Sequence, residues 1–164
     1  MTFDAAVTVT AAALLDAYRR AHLRIVTAES CTGGLIAACL TEIAGSSDVL
    51  DRGFVTYSNE SKIELLHVPA DMIEKHGAVS PHVARAMAEG ALARSRADVA
   101  VAVTGIAGPG GATPAKPVGL VYLACLRNGR EPQIERHQFH GDRPAVRLAS
   151  LEAAFELLRQ QIDG

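Results

Sequence analysis

The sequence predicts an α/β domain in which a mixed sheet is covered by helices. Three observations predict it. Stretches of helical and strand periodicity alternate along the chain. One run, Val99-Ala100-Val101-Ala102-Val103, is apolar throughout, as suits a central strand covered on both faces. Asn128-Gly129 stands between two strand-like stretches and marks a hairpin, which makes the sheet mixed.

Each element has its own signature. Residues 7–21 carry Val7, Ala11, Leu14, Leu15 and Tyr18 on one side and end in Arg19-Arg20, a first helix closed by basic residues. Residues 23–28 form the first strand, and 32–44 a helix that stops near Gly45. Residues 53–57 read as a second strand. Ser58-Asn59 then caps a short helix over 60–66, which His67-Val68-Pro69 breaks. A helical turn covers 70–75. Ser80 as N-cap and Pro81 at the first helical position open a helix to about Arg94. Strands follow over 98–104, 118–124 and 133–139, and a last helix over 144–162.

With 164 residues, 49% hydrophobic and 21% charged, the chain suits one unit over 1–164 with a real core. A net charge of −2 and 4% aromatics, with no Trp, argue against a nucleic-acid partner. No apolar run is long enough for a bilayer, and no membrane partner is expected. Cys31, Cys39 and Cys125 contain no CxxC pair and residues 1–13 no leader pattern, so the expected location is cytoplasmic, with reduced thiols.

The chemistry concentrates on residues 25–34, a β-branched run ending in Ser30-Cys31-Thr32-Gly33-Gly34 and followed by an apolar helix. Strand, tight turn and helix start leave backbone N–H groups at one point, where an oxyanion is welcome. The expectation is that the amides around Thr32, Gly33 and Gly34 hold it. Ser30 and Cys31 are both candidate nucleophiles. Serine needs a base, whereas a thiol at a helix start is expected to have a lowered pKa. The six histidines are scattered and none sits in a site-like loop. Lys62, in the first turn of its helix after Tyr57-Ser58-Asn59, is the better base, because the positive helix end and burial would both lower its pKa. The plain alternative is a solvated surface lysine.

The loop after residue 104, Thr104-Gly105-Ile106-Ala107-Gly108-Pro109-Gly110-Gly111, follows a buried strand and should emerge at a ligand-binding sheet edge. It is no nucleotide-triphosphatase loop, since Gly111 stands where that motif needs Lys. Arg143, after Gly141-Asp142, suits a phosphate or carboxylate, with Asp142 as the helix cap. His137 and His140 should face opposite ways and no cysteine or carboxylate cluster joins them, so no metal site is expected.

Several of these stretches together resemble one family. Residues 27–36, 55–62, 77–80, 103–109 and 116–119 are similar in order and type to the CinA C-terminal domain family, whose enzymatic members are nicotinamide-nucleotide amidohydrolases. The resemblance covers nearly the whole chain. It implies a three-layer α/β/α sandwich and the hydrolysis of nicotinamide mononucleotide to nicotinate mononucleotide and ammonia, a step of pyridine nucleotide salvage. It implies Ser30 and Lys62 as a catalytic dyad, with Ser30 rather than Cys31 as nucleophile and Tyr57 assisting. Cys31, Thr32, Gly33, Gly34, Thr104, Gly105 and Arg143 would line the substrate site. It implies a homodimer or higher assembly and a nucleotide as small-molecule partner. The reaction so written needs no cofactor. Two departures stand near Lys62: Leu66-His67-Val68 for the family's Leu-Gly-Val, and Asp51-Arg52-Gly53 for a more glycine-rich run. Rival readings are an amidase for another small substrate and a non-catalytic nucleotide-binding module.

Overall fold

The computed structural model describes residues 3–163; residues 1, 2 and 164 of the expected unit lie outside them. The elements are α1 (Ala5–Arg20), β1 (Ile25–Glu29), α2 (Leu35–Thr41), a 3-10 turn (Ser46–Asp48), β2 (Leu50–Val55), α3 (Asn59–Leu66), α4 (Ala70–His76), α5 (Pro81–Ala93), β3 (Val99–Gly105), β4 (Leu120–Arg127), β5 (Gln133–Gln138) and α6 (Arg143–Asp163). The sheet order is β2-β1-β3-β4-β5. β1 runs parallel to both β2 and β3, while β3, β4 and β5 are antiparallel in turn. The sheet is mixed, as expected, and helices cover both faces.

Alternation along β3 explains the two layers. Val99, Val101 and Val103 point into one core, with Leu15 of α1, Ile36 and Leu40 of α2 and Leu151 and Leu157 of α6. Ala100 and Ala102 point into the other, with Leu66 of α3, Ile73 of α4 and Val83, Ala84, Met87 and Ala88 of α5. The large side chains thus lie on one face and the small ones on the other, so the alanine-rich α5 settles close to the sheet. Gly90 carries this closeness further. A Cβ there would stand 1.9 Å from the carbonyl oxygen of Leu66, so the end of α3 packs directly on α5. That contact holds the helix that carries Lys62.

Local signals behave as their chemistry requires. The Asp4 side chain caps α1 by accepting from Ala6 N at 2.9 Å, and Ser80 caps α5 by accepting from Val83 N at 3.2 Å. Several boundaries differ from expectation by a few residues, three of them for a clear reason. α2 starts at Leu35 rather than 32, because Gly33 and Gly34 adopt positive φ (59° and 95°) and the turn continues through them. β2 covers Leu50–Val55 rather than 53–57: it is an edge strand, half-exposed, and its register comes from β1, where Ile25 faces Leu50. β4 runs on to Arg127, up to the Asn128-Gly129 turn. Among the described residues no helix is long and apolar enough to cross a membrane.

Candidate active site

Three parallel strands deliver their C-terminal ends to one edge, the usual ligand edge of such sheets. β1 leads into Ser30, β2 into Thr56 and Tyr57, and β3 into the loop after Gly105. Two further bonds extend the ladder past the strands. Ser30 N donates to Val103 O at 3.0 Å and Thr56 N donates to Glu29 O at 2.8 Å. Ser30 is thereby fixed between the ends of β2 and β3.

Lys62 reaches this point from α3. Ser58 and Ser61 form a reciprocal cap: Ser58 Oγ accepts from Ser61 N at 3.0 Å, and Ser61 Oγ accepts from Ser58 N at 3.2 Å. One residue on, the Lys62 side chain is only 1% exposed. Its Nζ donates to Thr56 O at 2.8 Å and lies 3.0 Å from Ser30 Oγ. The solvated-lysine alternative is therefore set aside. Burial lowers the amine's pKa from the ordinary 10.5, and the neighbouring Cys31 thiol opposes that shift. A buried amine whose pKa is lowered in this way can take a proton and return it.

The turn after Ser30 departs from expectation. The amides from Gly33 to Ala37 do not converge on an open point. Glu29, fully buried, takes them: Gly34 N and Ile36 N donate to Oε2, each at 3.1 Å, and Ala37 N donates to Oε1 at 2.9 Å. Gly33 N donates to Ser30 O and Leu35 N to Thr32 O. The expectation that Gly33 and Gly34 hold an oxyanion is thus overturned, because their N–H groups already have partners. Gly33 and Gly34 line a separate hollow with Phe3, Leu35, Ala38, Glu42 and Arg147. Thr32 is fully buried, its carbonyl accepting from Arg147 Nη2 at 2.8 Å.

The low-pKa thiolate expected at Cys31 is also corrected. Burial pushes this thiol up to about 11, and Glu29 acts in the same direction; its own amide, Arg147 and Lys62 oppose them. Cys31 packs in the core beneath α2 and α6 and shows only its edge to the cleft.

The cleft itself measures about 260 Å³ and is lined by Ser30, Cys31, Tyr57, Lys62, Thr104, Gly105 and Arg143, among others. It lies near the lower end of small-molecule sites, about 300–1,000 Å³. Seven of the ten expected site residues are therefore brought together, and Thr32, Gly33 and Gly34 are not. Thr104 Oγ1 donates to Ala78 O at 2.9 Å, so its hydroxyl ties the start of α5 to the end of β3. Arg143, the first residue of α6, donates to Gly108 O and to Tyr57 Oη, both at 2.8 Å. It joins the glycine loop to the end of β2 across the cleft's mouth. Tyr57, 60% exposed, is bonded to Arg143 and not to the Ser30–Lys62 pair. Asp142 caps α6 as expected, accepting from Ala145 N at 3.0 Å. Asn59, Ala78, Val79 and the loop through Gly108, Gly110 and Gly111 complete the lining. Sequence reasoning missed Asn59 as a lining residue because it served equally well as a cap. A larger groove of about 430 Å³ lies between α1 and α6; it is mostly apolar and contains none of the expected site residues.

Fold and cleft together define an α/β/α protein with a serine and a buried lysine in contact at the carboxyl edge of its parallel strands. The family model for the CinA C-terminal domain matches residues 7–162, and the chain belongs to that family. It is 52% identical over 144 residues to a CinA-like protein of Citrifermentans bemidjiense, covering 88% of this chain and 34% of that one. It is 53% identical over 140 residues to a CinA-like protein of Mycolicibacterium vanbaalenii, covering 85% and 33%. The chain thus spans about a third of the length of these curated relatives. Among solved structures, competence/damage inducible protein CihA from Agrobacterium tumefaciens superposes with a TM-score of 0.96 at 45% identity, covering 100% of this chain and 99% of that one. A CinA superfamily protein from Klebsiella pneumoniae gives 0.92 at 34% identity, covering 96% and 98%.

Proposed function

We propose that this chain is an amidohydrolase that deamidates nicotinamide mononucleotide through Ser30 and Lys62. One observation carries the reading: an amine with 1% exposure and a lowered pKa stands 3.0 Å from the hydroxyl of Ser30. In the proposed first step neutral Lys62 accepts the Ser30 proton while Oγ attacks the carboxamide carbon. The tetrahedral intermediate collapses, the C–N bond breaks, and Lys62 returns its proton to the departing ammonia. Water then attacks the acyl-enzyme ester, giving a proton to Lys62. Ser30 leaves with that proton, and the product is the carboxylate.

The oxyanion donors of this scheme lie outside the Gly33–Gly34 amides, which already have partners. The glycine loop around Gly108, Gly110 and Gly111 brings backbone without side chains to the cleft. Arg143 at the mouth suits the phosphate of a mononucleotide. Tyr57 serves that arginine by holding its guanidinium. A nucleotide as small-molecule partner and self-association into a dimer or higher assembly belong to the same reading, and light scattering of the purified chain tests the second.

Ammonia release from nicotinamide mononucleotide by wild type, Ser30→Ala, Lys62→Ala and Cys31→Ala is the direct test. Either of the first two variants is expected to lose a factor of about 10³ or more in kcat, and Cys31→Ala to remain active. Full turnover by Ser30→Ala would end the dyad reading. Binding of the mononucleotide without turnover by the wild type would favour a non-catalytic module.

A further inference from the structure

Most polar side chains that line the cleft are already engaged. Ser30 and Lys62 meet each other, Thr104 Oγ1 donates to Ala78 O, and Tyr57 Oη accepts from Arg143. Asn59 differs from them. It lines the same cleft, yet among the described residues its carboxamide has no hydrogen-bond partner. The cap at the start of α3 is made by Ser58 and Ser61 without it. Cys31 apart, the rest of the lining is glycine or aliphatic. Asn59 opens α3 and Lys62 follows three residues on, so the two share a face of that helix. Along the chain Asn59 stands between Tyr57, which holds Arg143, and Lys62, which meets Ser30.

We propose that Asn59 is a specificity-determining residue that hydrogen-bonds the ribose hydroxyls of the nucleotide, so that the cleft selects a ribonucleotide over a deoxy analogue. The proposal rests on the reading of this cleft as a mononucleotide site. In nicotinamide mononucleotide the ribose lies between the ring that bears the carboxamide and the phosphate. With the carboxamide at Ser30 and the phosphate at Arg143, the sugar passes the segment from Tyr57 to Lys62. Asn59 offers an acceptor oxygen and N–H donors from one planar group. Adjacent 2′ and 3′ hydroxyls match it: one donates to Oδ1 and the other accepts from Nδ2. A cleft wall that supplies such bonds disfavours an analogue without the hydroxyls, because the polar group is then left unpaired.

The test is calorimetric titration of the Ser30→Ala chain, which binds without turnover, with nicotinamide mononucleotide and with its 2′,3′-dideoxy analogue. The mononucleotide is expected to bind about tenfold more tightly than the analogue. When Asn59→Ala is added, that ratio is expected to fall below about twofold, through weaker binding of the mononucleotide. A purely structural role for Asn59 would shift both dissociation constants alike and keep the ratio, which overturns the proposal. A ratio near one before Asn59 is changed overturns it as well, and needs no second variant. The Ser58–Ser61 cap stays in place in Asn59→Ala, so α3 is expected to hold. Ammonia release by the wild type is read separately. Its absence would remove the deamidase reading while the two ratios still decide the role of Asn59. An unchanged ratio in an active enzyme would remove that role and leave the dyad intact.

Discussion

The parallel and antiparallel halves of the sheet contribute differently to the cleft. β2, β1 and β3 run the same way, so their ends meet, and from them come Ser30, the Thr56 carbonyl that holds Lys62, and the start of the glycine loop. β4 and β5 run against their neighbours, so what reaches the same edge is a loop and a connection: residues 106–119 and the segment that opens α6 with Arg143. Ser30 thus follows a rigid strand end in the interior, where Lys62 of α3 meets it, and Tyr57 and Arg143 sit on an exposed rim. The difference teaches where each kind of residue is tolerated. A lowered lysine pKa needs a dry site, whereas the arginine that the proposed function gives to a phosphate keeps water on one side.

Four changes test that division. The largest effect on stability is expected from Gly90→Ala, at the contact that seats α3. A Cβ there meets the Leu66 carbonyl at 1.9 Å, so α3 must move. A loss of about 2–3 kcal/mol in urea unfolding is expected, with ammonia release falling because Lys62 moves with its helix. Unchanged stability would mean that α3 is not seated on α5 as described. Next comes Arg143→Ala, on the antiparallel side. KM should rise about tenfold with kcat nearly kept, a difference of about 1.4 kcal/mol in binding. A fall in kcat instead would erase the division between reacting and recognition groups.

Lys62→Met is a test in which stability and activity part. The wild-type amine has a lowered pKa, so between that value and the ordinary 10.5 the unfolded chain holds a proton that the folded chain gives up. This group's contribution to stability therefore rises with pH through that window, and the penalty is full below it. The apolar replacement is expected to be inactive yet more stable at pH 6 by about 1 kcal/mol, a few degrees in Tm. That gain should narrow as pH approaches 10.5. A constant difference across pH would mean that the lysine's proton is not under strain. The smallest effect is expected at His67, which ends α3 with φ 53°, a left-handed conformation that favours glycine. His67→Gly should stabilise by about 0.5–1 kcal/mol in the same unfolding assay, and leave turnover unchanged.

The sequence made much of this legible. Caps at Ser58 and Ser80, the helical stripe of α1 and the apolar run of β3 are local signals with local causes, and they appear where the residues place them. Ser30 was readable from its turn only as a candidate nucleophile beside Cys31, and Lys62 as a candidate base from its place in a helix's first turn; the resemblance to the family chose Ser30. β2 was misread by three residues at its start because an edge strand half in water has no strong pattern, and its partner β1 lies about 25 residues earlier. The turn glycines were misread because a free amide and a committed one look the same in a sequence. Glu29 did carry a signal, an acidic residue ending an apolar strand just before a helix start.

By itself, then, the order of residue types determined the elements, the layering and the short set of candidate groups for the cleft, because periodicity, capping and turn chemistry act over a few residues. Only the tertiary structure decided that Lys62 is dry, that Glu29 rather than a ligand takes the α2 amides, and that Arg143 spans from Gly108 to Tyr57, 86 residues away. Burial and charge environment are properties of what surrounds a side chain, and those surroundings are assembled from distant parts of the chain only when the sheet forms.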